Sequence, residues 1–129
     1  MLAPDTYARH GPLSDPSHHA AAIARLPRDV AALCRIVQGL LLHDYYGPKL
    51  YGDAPRHIVE ASRATLPVAQ RLDAILAASA NPLDRARRPF DRAVGTCRDF
   101  ALLLCALLRE QGTPARVRCG FGHYFLGGE

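Results

Sequence analysis

Between Cys97 and Gln111 the chain reads Cys-Arg-Asp-Phe-Ala-Leu-Leu-Leu-Cys-Ala-Leu-Leu-Arg-Glu-Gln, followed by Gly112 and Pro114. Phe100, Ala101, Leu104, Leu107 and Leu108 recur at helical spacing, and Leu102, Leu103 and Cys105 widen that stripe until the helix is apolar almost all round. A helix of this kind has little face to give to water and must sit at the centre of a domain with other elements laid around it. Gly112 supplies the C-cap, and Pro114 stops the helix from resuming.

The elements around it are weaker. Residues 1–15, with Pro4, Gly11 and Pro12, show no sustained period and read as an irregular arm. Asp15-Pro16 opens a short helix through Ile23, and Pro27 ends or restarts it. From Pro27 to His43, Val30, Leu33, Cys34, Val37, Leu40 and Leu41 form an apolar helical face. Turn residues from Asp44 to Pro55 predict a loop. Modest helical spacing covers His57 to Ala64, and a better pattern follows Pro67 through Val68, Leu72, Ile75 and Leu76. Leu83 to Thr96, rich in proline and arginine, reads as an ordered loop. After Pro114, Ala115 to Phe121 alternates with period two, predicting a strand that turns Ala115, Val117, Cys119 and Phe121 inward. A lone strand needs neighbours, so the remaining sheet is expected to lie beyond it.

Composition narrows the function classes. The 129 residues suit one domain, and 49% hydrophobic with 22% charged is ordinary for a globular chain. The net charge of +4 is carried by arginine apart from Lys49, a bias that follows base composition as readily as partner choice, so nucleic-acid binding is not expected. No apolar run reaches the roughly 18 residues of a membrane span, and the start shows no basic-then-apolar leader, so a cytoplasmic chain is the expectation. Cys34, Cys97, Cys105 and Cys119 fall in no paired motif and are expected as free thiols. With no C-x-x-C or H-x-x-x-H pair, and with His18 and His19 expected to diverge on a helix, neither metal nor cofactor is expected.

Cys97 carries the chemistry. It follows Gly95-Thr96 and opens the apolar helix, where unpaired N–H groups and the positive dipole end favour a thiolate. Its plain alternative is a small residue buried at a helix start. Asp99, two residues on, points about 200° away around the helix and reads as a first-turn carboxylate bonded to Arg98 or a loop arginine, not as a partner of the thiol. His123 is the one histidine after Cys97 and so a candidate base, against which stands its simpler reading as a surface position. His43 and His57 read as ordinary polar positions, Tyr45, Tyr46 and Tyr51 as packing and loop anchors. Arg85, Arg87, Arg88 and Arg92 read as a solvated loop, with anionic-substrate recognition as the sharper alternative.

The run from Gly95-Thr96-Cys97-Arg98-Asp99-Phe100-Ala101 through Gly112-Thr113-Pro114-Ala115-Arg116 to Cys119-Gly120 resembles the transglutaminase-like superfamily, particularly its bacterial single-domain members. The resemblance covers roughly Gly95 to Phe125, with weaker similarity at Val37 to His43. It implies an α+β domain of papain and transglutaminase type, here truncated and mainly helical, with the start of an antiparallel sheet at the C-terminus. It also implies a Cys-His-Asp triad acting on a peptide or amide substrate by hydrolysis or transamidation. Only the nucleophile carries over, onto Cys97. The histidine and aspartate of relatives lie on later strands, so residues 1–129 are expected to be one incomplete domain lacking a full triad. The competing expectation is a non-catalytic helical interaction module or gene fragment, self-associating through the apolar face that missing strands would cover.

Overall fold

A computed structural model describes residues 4–63, 65–120 and 122. Among the described residues, six α-helices and two short strands are arranged around a hydrophobic core: α1 (Ala20–Ala24), α2 (Val30–Leu40), β1 (Leu41–His43), α3 (Tyr46–Tyr51), α4 (Arg56–Arg63), α5 (Val68–Ala78), β2 (Ala93–Gly95) and α6 (Cys97–Glu110). Short 3₁₀ turns occupy Pro4–Ala8, Ser17–His19 and Pro89–Asp91. No helix among the described residues is long and apolar enough to cross a membrane.

Helix α6 is central, as its composition requires. It packs on α1, α2 and α5, and Leu103 and Leu107 have no solvent exposure. The buried face runs through Asp99, Leu103, Ala106 and Leu107, one step round from the stripe expected, and leaves Ala101 exposed. Ile23 of α1, Leu33 and Leu40 of α2, and Leu72 of α5 close over that face. Each such side chain contributes about 1.5–3 kcal/mol on leaving water. At the far end Gly112 adopts φ +81°, its N–H bonds Arg109 O, and Thr113 N–H reaches back to Leu108 O at 2.9 Å. That is the paired closure of a Schellman motif, which a glycine adopts without Cβ strain.

Helix α2 is opened by Asp29, whose carboxylate accepts the Ala32 N–H at 2.8 Å. It stops at Leu40, three residues before the expected end, because Leu41–His43 turns into a strand. Its partner β2 lies within the segment read as a loop. The two run parallel, with Leu41 opposite Ala93, Leu42 opposite Val94 and His43 opposite Gly95. The expected loop from Asp44 to Pro55 contains α3, with Pro48 in its first turn where no backbone donor is needed.

The expectation of an antiparallel sheet beginning at the C-terminus is therefore corrected. The sheet among the described residues is parallel and joins β1 to β2. Residues 115–120 form no strand, and Val117 and Cys119 are exposed. Alternation alone does not make a strand: its N–H and C=O groups need a neighbouring edge. Here the Ala115 N–H bonds Tyr7 O at 3.0 Å, and its carbonyl accepts from Arg109 Nε at 2.7 Å. The arm at residues 1–15 thus supplies a contact for this segment. It is strapped to α6 by His10, whose Nε2 lies 2.7 Å from Glu110 Oε2, and by Arg109, which donates to Ser14 Oγ at 3.3 Å.

Candidate active site

The parallel pairing determines what surrounds Cys97. Both strands end at one edge, and the Asp44 N–H closes the ladder on Gly95 O at 2.9 Å. Beyond that edge β2 passes through Thr96 into α6, placing exposed Cys97 at the first helical position. Beyond the same edge β1 delivers His43. Its ring lies 5.9 Å, centroid to centroid, from Phe100, which shares the helix face of Cys97 one turn on.

Asp99 fixes the geometry of the turn. Its Oδ2 accepts the Thr96 N–H at 2.8 Å and the Thr96 hydroxyl at 3.3 Å, the returning half of a capping box. Its Oδ1 faces Arg71 Nη2 of α5 at 3.4 Å, with both side chains buried. The expected partner, Arg98 or a loop arginine, is replaced by a helix residue distant in sequence. Arg71 also donates to Val94 O at 3.1 Å, so one guanidinium ties α5 to both β2 and α6. Burial pushes its pKa down, and the charge of Asp99 works against that shift. Gly95 is required for the fit, since a Cβ there would stand 2.8 Å from Asp99 Cβ.

At the helix start, the N–H groups of Asp99 and Phe100 turn back to Thr96 O at 2.9 and 3.2 Å. Those of Cys97 and Arg98 have no acceptor among the described residues, leaving two donors beside the thiol. His43 adds a third polar group. Its Nδ1 receives the Tyr45 N–H at 3.1 Å and lies 3.4 Å from the Tyr46 N. The Tyr45 N–H on Nδ1 assigns the ring hydrogen of the neutral form to Nε2, with Asp44 Oδ1, 3.3 Å from the same Nδ1, as the competing partner. Nothing local in the sequence marks this residue, because its place opposite Gly95, two residues before Cys97, depends on strand pairing.

His43, Phe100, Tyr46 and Tyr51 line a cleft of about 530 Å³ between the end of α2, β1, α3 and α6. His123, the candidate base from the sequence, lies outside the described residues. Of the other thiols, Cys105 is buried, which pushes its pKa up, Cys34 is half-buried, and Cys119 is exposed as Cys97 is.

The arginine stretch divides into separate roles. Arg87 is buried and donates to the carbonyls of Ser79, Asn81, Pro82 and Arg85, knitting the loop before β2. Arg88 pairs with Asp91 at the surface at 2.9 Å, while Arg92 turns into the cleft. His18 and His19 do not diverge as expected. After the positive φ of Ser17 their rings lie 4.0 Å apart, with His19 Nε2 2.6 Å and His18 Nε2 3.0 Å from Asp73 Oδ1. These ligand-type atoms fall within 4.8 Å of one another, an arrangement able to hold a metal ion, and they fasten the Ser17–His19 turn to α5.

The family profile of the transglutaminase-like superfamily matches residues 51–125, which contain β2, Cys97 and all of α6. No curated protein and no solved structure matches the chain. With more than half of its length matched, the chain belongs to the transglutaminase-like superfamily.

Proposed function

We propose that the protein is a cysteine acyl-transfer catalyst in which Cys97 is the nucleophile. The observation that carries the reading is the exposed thiol at the first position of α6, with two unengaged N–H groups at its side in a chain of this superfamily. The Cys97 sulfur, as thiolate, adds to a carboxamide or peptide carbonyl, and the new C–S bond forms as the carbonyl electrons move to oxygen. Collapse breaks the C–N bond, the amine leaves with the proton the thiol lost, and a thioester remains for water or a second amine to resolve. The N–H groups of Cys97 and Arg98, with His43 Nε2–H, are assigned as donors to the oxyanion. The resemblance puts the proton acceptor of relatives on a later strand; within residues 1–129, His123 is the one histidine after Cys97 and so the candidate for that step.

The test is covalent trapping. The full chain is incubated with an activated acyl ester and the adducts are mapped by mass spectrometry before and after hydroxylamine. A hydroxylamine-labile acyl group on Cys97, absent from Cys97→Ser, supports the reading. Acylation of exposed Cys119 as fast as Cys97 overturns it.

A further inference from the structure

Building on the Cys97 reading, we infer that the cleft beside Phe100 is an anion subsite that holds a carboxylate of a peptide acyl donor through Arg92 and Arg35. The cleft has these two guanidinium groups on its wall and neither Asp nor Glu among its lining residues. Arg92 is half-buried and held in place: its Nε donates to Arg87 O at 2.8 Å, and its guanidinium lies 5.7 Å over the Tyr51 ring. Its two Nη groups engage no acceptor among the described residues. This sets it apart from its neighbours, since Arg87 is used by carbonyls, Arg88 by Asp91 and Arg71 by Asp99.

A guanidinium with its stem ordered and its fork vacant has already lost most of the freedom it would lose on binding, and the fork matches a carboxylate with two parallel hydrogen bonds. Arg35, exposed on α2 and without a hydrogen bond or ion pair among the described residues, adds a second positive charge to the same cleft. Two cations with no carboxylate on the wall of the same cleft concentrate anions at its mouth, although Asp84 shares an adjoining cleft with Arg35. A peptide is favoured over a small anion because Tyr46, Leu50 and Tyr51 supply apolar wall beside the charges, and Leu50 is 71% exposed, available to cover a chain. Phe100 is on this wall and lies one helical turn after Cys97, so a carboxylate anchored in the cleft would hold the attached chain toward the thiol at the helix start.

The test measures binding, not turnover, so that its failure is separate from failure of the acyl-transfer reading. Full-length Cys97→Ser is titrated against three fluorescent peptides: one with glutamate and an amidated C-terminus, its glutamine counterpart, and that counterpart with a free C-terminus. The acid-bearing peptides are expected to bind at least about tenfold tighter than the neutral one, and whichever acid binds better identifies a side-chain or terminal carboxylate as the group recognised. Arg92→Gln should remove that advantage and Arg92→Lys most of it, while Arg35→Gln should weaken binding about threefold and reduce its salt dependence. Arg85→Gln, which removes equal charge outside the cleft, should change nothing. Equal binding of neutral and acidic peptides, no binding of any, or an Arg85→Gln loss equal to that of Arg92→Gln overturns the inference. Thermal melts of Arg92→Gln and Arg35→Gln verify folding, and the exposed position of Arg35 keeps that arm interpretable.

Discussion

Arg71 of α5 and Asp99 of α6 face each other in the interior, Nη2 to Oδ1 at 3.4 Å, with side-chain exposures of 3% and 6%. Asp99 spends its other oxygen on the Thr96 N–H and hydroxyl, so the pair joins the helix that carries Cys97 to the opposite side of the core.

Removing one member takes from the other the buried opposite charge it faces. Asp99→Ala is expected to cost about 3–5 kcal/mol, and the double variant Asp99→Ala with Arg71→Met to cost less than Asp99→Ala alone. Urea unfolding of the four proteins in the cycle checks this, and an additive result would show that the pair carries no coupling.

Gly95→Ala tests the close approach beneath the cysteine turn. The new Cβ would sit 2.8 Å from Asp99 Cβ, a rigid atom next to the backbone, so the helix start must shift. A loss of about 1–3 kcal/mol is expected, as for other overpacked sites, together with a slower acylation of Cys97. A variant as stable and as reactive as the parent would disprove the steric argument.

The thiols should separate by location. Brief iodoacetamide treatment of the native chain should modify Cys97 and Cys119 and spare Cys105, with peptide mapping as the readout. Because burial raises the folded-state pKa of Cys105, the stability linked to its neutral thiol is fully present below the ordinary thiol range and is lost as pH rises through the raised value. Cys105→Ala should therefore flatten the alkaline fall of Tm measured by calorimetry.

His43 should affect acyl transfer without affecting simple alkylation. If its Nε2–H helps hold the oxyanion, His43→Ala lowers the acylation rate by about 10²–10³, and His43→Gln, which keeps a donor, loses less. Iodoacetamide labelling of Cys97, which builds no oxyanion, should proceed at the parent rate in both. Equal acylation by parent and His43→Ala would exclude the role.

What could be read without coordinates was what neighbouring residues decide among themselves. The apolar run from Phe100 to Leu108 made α6 a central helix, Gly112 closed it, and Thr96-Cys97 placed a thiol at its first turn, because caps and helical periodicity act over a few residues. Even the misplaced details were local: the buried stripe was off by one residue, and α2 lost its last three to β1. The rest depended on contacts between segments far apart in the chain. The three-residue parallel pairing of Leu41–His43 with Ala93–Gly95 has too little length for a periodic signature, yet it brings His43 to the edge where Cys97 stands. Packing of α5 on β2 and α6 chose Arg71 over nearer arginines as the partner of Asp99. The same packing gave Arg87, Arg88 and Arg92, of similar local sequence, different roles, and left Ala115 to Gly120 without the strand edge that its alternation implied. Sequence placed the Cys97 thiol, since a helix start is a local object. Tertiary structure assembled the site around it, because burial and strand pairing depend on which distant residues share the same space.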